Sequence, residues 1–206
     1  MSIVSVNLEN LSETARAEVL RSMEQQGPAS TTNYLRGIKD GETFTVAGIE
    51  FIKFPGKDGK TPVVARESLF RSEFGRNNDL RSSTALKKLV ADVLPKIIEA
   101  IGEENVCTIR TDLTTLDGLK PYGVMESKIS LPTLDFYRAN VEIFDKYEVD
   151  NHWWTATPES AKPHDDPYWI VCVAPSGCIS YVHCGIDIGV RPFLIFNSSI
   201  FESYEK

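Results

Sequence analysis

The sequence lacks the local signatures of the common enzyme classes and of membrane proteins. It contains no G-x-S-x-G, no Walker loop and no H-E-x-x-H motif, so it indicates no nucleophile elbow, phosphate loop or zincin helix. No stretch approaches the roughly 18 to 20 apolar residues that a membrane span requires. The N-terminus lacks the basic start and continuous apolar segment of a signal peptide. We therefore expect no catalysis, no cofactor, no membrane insertion and no secretion signal.

Positive charge is also scarce. The chain of 206 residues has 22 Lys and Arg against 29 Asp and Glu, for a formal net charge of −7, and no window concentrates its basic residues. Because nucleic-acid binding depends on clustered Lys and Arg facing phosphates, we expect no nucleic-acid partner.

Cysteine and histidine are few, with four Cys and three His. Without an export signal, reduced thiols are the expectation, with disulfide pairing as the alternative. A zinc site at Cys178, His183 and Cys184 would need a fourth ligand and a tighter pair spacing, so we predict no metal site. Cys178 and Cys184 are also the only pair of cysteines whose location suggests an oxidase-like enzyme. As cysteines at alternating positions of one strand, they more often fill space in the core.

The N-terminal segment predicts a helix over about residues 12–26. Asn10 or Ser12 suits the N-cap and Gly27 suits the stop. A turn-rich connector follows, so we assign residues 1–40 to an N-terminal helical arm and residues 41–206 to the main domain. The helix either folds back on the domain or reaches a partner, and the second option predicts a homo-oligomer through this helix.

The main domain reads as α+β. Alternating residues predict two short strands that bend at Ala47-Gly48. Residues 82–102 have the apolar spacing of a helix, with a kink or break at Pro95. Pro132-Thr133 opens a short helix capped by Thr133. The last third consists of short strands in HWWTAT, YWIVCVA, CISYVHC and VRPFLIF, separated by turn residues.

Two adjacent tryptophans, Trp153 and Trp154, lie in the first of these late strands. Side chains alternate faces along a strand, so one ring is predicted to enter the core and the other to lie on the opposite face. That second ring is either covered by a helix or loop, or it stacks a ligand. We assign both residues a structural role.

The order of the late motifs resembles an uncharacterised domain family common in Firmicutes and in their phages and prophages. The matching residues are Trp153, Trp154, Thr157, Pro158, Val173, Gly177, Gly189, Val190, Arg191 and Pro192. The resemblance extends upstream to DLTTLDGLKPYG and KISLPTLDFYR, and covers about residues 43–203. It implies a C-type-lectin-like domain with a twisted antiparallel sheet, flanking helices and long loops between the late strands. Such a fold carries many functions, so the site is argued separately.

The loop KPHDDPYW is the best candidate for partner binding. His164, Asp165, Asp166, Tyr168 and Trp169 place polar and aromatic groups between two strands, where binding residues are often found. A calcium site in this loop would need six to eight oxygen ligands, and a solvated turn beside proline is the plainer interpretation.

Arg191 is predicted to lock the sheet to the preceding loops. A guanidinium at the end of an apolar strand needs carboxylates or carbonyls, and Asp112, Asp117 and Asp135 are the candidate carboxylates.

The resemblance and the missing catalytic motifs favour a non-catalytic virion-associated protein of phage or prophage type. It would be a structural, decoration or host-surface-binding protein, with other virion subunits or a host surface as its protein partner. One alternative is an intracellular phage-encoded inhibitor that binds one host protein. A second is a cysteine-dependent oxidase-like enzyme. The expected location is the virion or the host cytoplasm.

Overall fold

The structure, a computed structural model, describes residues 33–161 and 167–202 of the chain. The helix expected at about residues 12–26 lies outside the described residues, and so do His164, Asp165 and Asp166. Within the described chain, residues 33–40 belong to the sheet-bearing unit, because Leu35 and Ile38 are buried in its core.

A four-stranded antiparallel sheet forms one layer of the fold. Its strands are β2 (Thr43–Val46), β3 (Ile49–Lys53), β4 (Lys60–Ala65) and β12 (Phe193–Asn197), in the order β12-β4-β3-β2. The first hairpin turns at Ala47 and Gly48, whose φ angles are 52° and 74°. Positive φ at both central positions is typical of the tight turn that matches strand twist, so the predicted bend is confirmed.

A five-stranded mixed sheet carries the tryptophan pair. It comprises β5 (Phe70–Ser72), β8 (Trp153–Pro158), β9 (Trp169–Val173), β10 (Ile179–His183) and β11 (Ile188–Val190), in the order β10-β9-β8-β11-β5. The β8–β11 pair is parallel and the other neighbours are antiparallel. The predicted late strands are confirmed, with VRPFLIF divided between β11 and β12.

Two short strand pairs complete the sheets. β1 (Asn33–Tyr34) pairs with β13 (Phe201–Glu202), and β6 (Ile109–Asp112) pairs with β7 (Val124–Ser127).

The long predicted helix is present but irregular. It consists of α1 (Thr84–Lys88), a π-helical segment (Leu89–Val93) and α2 (Leu94–Ile101). The Ser83 side chain accepts a hydrogen bond from the Leu86 N–H and caps the first turn. Pro95 has no N–H to donate to the preceding turn, and the change of helical register immediately before it accommodates that loss. The predicted break is therefore confirmed.

Two short helices, α3 (Leu134–Ala139) and α4 (Val141–Phe144), precede the tryptophan strand. The Thr133 side chain accepts a hydrogen bond from the Phe136 N–H, as the predicted cap requires. Short 3₁₀ turns at Leu35–Gly37, Leu80–Ser82 and Glu103–Asn105 connect other elements.

The sheets and helices enclose two hydrophobic clusters, and the tryptophan pair divides between them. Trp154 packs in the larger cluster and donates from Nε1 to the Ser72 carbonyl oxygen at 2.8 Å. Trp153 packs in the smaller cluster, against Phe144 and Tyr137. Both rings are fully buried, and the second ring is covered by α3 and α4.

The described chain is thus a mixed α+β fold in which strands dominate. Among its helices, none has both the length and the apolar character needed to cross a bilayer.

Candidate functional site: an exposed aromatic edge strand

The five-stranded sheet ends at β10, which is bonded to β9 on one side only among the described strands. All of its residues are exposed except Val182, which is half-buried. Its outer edge therefore presents backbone N–H and C=O groups that no described strand satisfies. An edge of this kind can accept an added strand from another chain.

Large side chains line one face of this edge. Ile179, Tyr181 and His183 alternate along β10 and share a face with Trp169 of β9, because Trp169 lies directly opposite His183 in the register. Ile179 is 43% exposed and Tyr181 is 53% exposed, which is unusual for side chains of this size. Together with Tyr168, these four residues are termed the edge face.

The rings of the edge face contact one another. The Trp169 ring meets Tyr181 and His183 edge-on, with centroids 5.9 Å apart in both pairs. The Tyr168 and His183 rings lie 5.3 Å apart. The His183 Nδ1 accepts a hydrogen bond from the Gly185 N–H at 3.1 Å. These contacts give the aromatic groups a fixed arrangement before any partner arrives, which lowers the entropic cost of binding.

Buried Asn78 fixes the base of the loop that leads into Trp169. Its backbone N–H donates to the Pro167 carbonyl oxygen at 2.7 Å, and its side-chain amide donates to the Ser160 carbonyl oxygen at 2.8 Å. The Tyr122 hydroxyl donates to the Asn78 Oδ1 at 2.6 Å, and burial raises the pKa of Tyr122, which keeps that donor protonated. Both ends of the loop are therefore anchored to one buried amide.

The structure brings together part of the predicted binding loop. Tyr168 and Trp169 are 37% and 39% exposed and belong to the edge face. His164, Asp165 and Asp166 lie outside the described residues, so the structure does not relate them to the two rings.

Sequence reasoning missed the contributions of Ile179, Tyr181 and His183. The signal was present, because large side chains alternate with smaller ones in CISYVHC. Only Cys178 and Cys184 of this segment were assigned a role, that of core packing, and the edge position of β10, which exposes the large side chains between them, has no local signal. Asn78 was missed as well, since a single asparagine in a turn-rich segment carries no local signal for a buried role.

Of the two kinds of acceptor expected for Arg191, the structure shows a carbonyl oxygen, and none of the three candidate carboxylates pairs with it. Its Nε donates to the Ala65 carbonyl oxygen at 2.9 Å, and no described carboxylate pairs with it. The three candidate acids have other partners: Asp112 accepts from Thr114, Asp117 from Thr115 and Ser160, and Asp135 lies beside Arg138. The guanidinium instead stacks over aromatic rings, an alternative to ion pairing that suits arginine.

The cysteines differ in their surroundings. All four are unpaired; Cys172 and Cys184 are buried, whereas Cys178 is exposed. Burial raises the pKa of the Cys172 and Cys184 thiols, which disfavours the reactive thiolate. The expectation that both Cys178 and Cys184 fill core space is correct for Cys184 and wrong for Cys178, which lies outside β10 next to the hairpin turn. In the described ranges, no three His, Cys, Asp or Glu side chains form a cluster that could hold a metal ion.

Comparison of the chain with protein-family models, with curated proteins and with solved structures returned no match. The chemistry of the edge face is therefore the main guide to function. Its aromatic and aliphatic groups, together with an open strand edge, suit protein recognition.

Proposed function

We propose that the chain is a non-catalytic binding module that docks a protein partner on the edge face. The supporting observation is the pairing of an open strand edge with a preordered aromatic cluster. Backbone groups of β10 would supply hydrogen bonds to an added strand, and side chains of Trp169 and Tyr181 would supply apolar contact area.

Natural proteins protect such edges with charged side chains, prolines or bulges. β10 carries none of these: its sequence is ISYVH, and its only ionisable side chains are Tyr181 and His183. A strand of this composition promotes non-specific association in a free protein. Where a partner covers it, the same groups contribute to specific binding.

The setting that we propose is a phage or prophage virion, with the chain as a structural, decoration or host-surface-binding component of a C-type-lectin-like fold. The ordered motifs from Trp153 to Pro192 support this setting through their family resemblance. The strand-rich α+β architecture is compatible with that fold. The partner would be another virion subunit or a protein of the host surface.

Purified particles provide the test. Phage particles from the strain that encodes the chain should contain it in a fixed ratio to the major capsid protein, measured by quantitative mass spectrometry after density-gradient purification. The chain should stay with the particles through a second gradient. Its absence from the particles, with the chain present in the infected cell, would contradict the virion assignment.

The second candidate is an intracellular inhibitor that binds one host protein through the same face. The edge face favours it equally, because strand addition does not depend on the location of the partner. A cross-link from a photoreactive group at residue 181 distinguishes the two proposals: a virion subunit as the cross-linked product supports the first, and a single host protein supports the second.

A further inference from the structure

A cavity of about 210 Å³ lies beside the covered tryptophan. Its walls are the turn at residues 174–177 and the segment at residues 145–149 that follows α4, and Trp153 and Arg191 lie within its lining. One water needs only about 10 to 15 Å³ of such space, so the cavity has room for a small organic molecule.

Arg191 brings an incompletely bonded cation to this cavity. The residue is 2% exposed, and within residues 33–161 and 167–202 only its Nε has a hydrogen-bond acceptor, the carbonyl oxygen of Ala65. Its Nη2 is buried without an acceptor among the described residues. A buried charged donor without a partner is costly, and a carboxylate is the acceptor whose two oxygens best match a guanidinium.

Aromatic rings give the cavity an apolar wall. The Arg191 Cζ lies 4.9 Å from the centroid of the Trp153 ring and 5.4 Å from that of the Phe144 ring. The two rings are stacked with centroids 5.7 Å apart. They hold the guanidinium in place and make this side of the cavity apolar.

The remaining lining carries negative charge. Asp145 and Glu148 are exposed residues that line the same cavity, on the segment after α4. The opposite wall is held by the Tyr137 hydroxyl, which donates to the Gly177 carbonyl oxygen at 2.8 Å. Gly177 has a φ of +78°, and a Cβ at this position would lie 3.3 Å from an Asp145 carboxylate oxygen, so the turn approaches Asp145 closely. A ligand with negative charge alone would be repelled by these two carboxylates.

We propose that the cavity binds a small ω-amino carboxylate. The ligand's carboxylate pairs with the guanidinium of Arg191, its methylene chain lies along the side of the cavity that Trp153 and Phe144 border, and its ammonium group faces Asp145 and Glu148. One molecule of this kind balances both the arginine charge and the acidic side chains of the lining. A free metabolite and the lysine at the end of a peptide chain both offer this chemistry.

Isothermal titration calorimetry with three matched probes tests the assignment on the intact chain. 6-Aminohexanoate carries both charges, hexanoate lacks the amino group and hexylamine lacks the carboxylate. We expect 6-aminohexanoate to bind at least tenfold more tightly than either of the others. Failure of all three to bind would overturn the proposal, as would equal binding of hexylamine.

A tetrapeptide ending in a free lysine carboxylate, compared with its C-terminal amide, distinguishes the two sources. Tighter binding of the free acid than of both its amide and 6-aminohexanoate identifies a chain end as the ligand. Binding of 6-aminohexanoate without the peptide identifies a free small molecule.

Two substitutions test which residues of the cavity contact the ligand. Arg191→Lys should weaken 6-aminohexanoate binding at least tenfold. Asp145→Asn should weaken 6-aminohexanoate but leave hexanoate binding unchanged or stronger, a difference that a merely structural role would not produce.

A blocking variant keeps the test valid if Arg191→Lys does not fold. Ser176 is exposed at the turn that lines the cavity, so Ser176→Phe should obstruct entry and abolish binding. Thr108→Phe adds the same bulk at an exposed position outside the cavity lining and should bind like the unmodified chain. Undiminished binding by Ser176→Phe would overturn the location of the site.

Discussion

The guanidinium of Arg191 lies 4.9 Å from the centre of the Trp153 ring, although 37 intervening residues separate the two in the chain. The stack joins β8 to the end of β11 and replaces the ion pair that a buried arginine would usually need.

Arg191→Lys should lower the melting temperature. A lysine ammonium is more strongly hydrated than a guanidinium, cannot stack as a plane on Trp153, and loses the geometry of the Nε bond to the Ala65 carbonyl. We expect a loss of about 1 to 3 kcal/mol in the free energy of unfolding, measured by urea denaturation. An unchanged midpoint and slope would show that the stack contributes no stability.

The pH dependence of this contribution follows from the direction of the pKa shift. Burial lowers the pKa of Arg191 to about 10, well below the ordinary pKa of a guanidinium. Below pH 10 the folded and unfolded chains both hold the proton, so the group adds no pH dependence there. At pH values between the folded-state pKa and the unfolded-state pKa of Arg191, the unfolded chain binds more protons. The contribution of this group to the free energy of unfolding therefore rises with pH.

The measurement is the difference in the free energy of unfolding between the unmodified chain and Arg191→Met. This difference should stay constant from pH 5 to pH 9 and should shift in favour of the unmodified chain above pH 10. A steady change across pH 5 to 9 would mean that Arg191 titrates with a partner absent from this account.

Trp153 and Trp154 should contribute to stability independently, because they pack in different hydrophobic clusters. Replacing either by phenylalanine removes buried volume, at a cost of about 1 to 4 kcal/mol. The double variant should lose the sum of the two single losses to within about 0.5 kcal/mol, although adjacent residues commonly couple. A coupling above about 1 kcal/mol, measured by denaturant unfolding of all four proteins, would contradict the two-cluster description.

Asn78→Ala should destabilise the fold and loosen the loop that it anchors. The substitution leaves the Ser160 carbonyl and the Tyr122 hydroxyl without their buried partner, which costs about 2 to 4 kcal/mol. Hydrogen exchange at the backbone amides of residues 159–161 and 168–169, which flank the loop, should then become faster. Asn105→Ala is a suitable control, because its half-buried amide also donates to a carbonyl, that of Ile101, outside this loop.

The features predicted correctly from sequence depend on short-range chemistry. Positive φ at Ala47-Gly48, the missing N–H of Pro95 and the Thr133 cap each involve a few neighbouring residues, and local composition signals them. The same holds for the alternation that divides Trp153 from Trp154.

The features that sequence reasoning missed depend on contacts between distant parts of the chain. The parallel pairing of β8 with β11 and the edge position of β10 follow from the order of strands in the sheet, which no local pattern encodes. Arg191 finds its acceptor at Ala65, 126 residues away, and this acceptor is a backbone carbonyl, which no side-chain pattern in the sequence distinguishes. The candidate site was therefore half-predicted: Tyr168 and Trp169 were identified, and the strand that completes the face was not.

The central claim is that a partner covers the edge face. Ile179 and Val90 are aliphatic side chains with nearly equal exposure, 43% and 46%, and only Ile179 belongs to that face. The most direct measurement is the amount of each lysine variant that enters purified phage particles, relative to the unmodified chain. Ile179→Lys should fall at least tenfold while Val90→Lys stays at the unmodified level. Equal incorporation of the two variants would contradict the assignment of β10 as the binding edge.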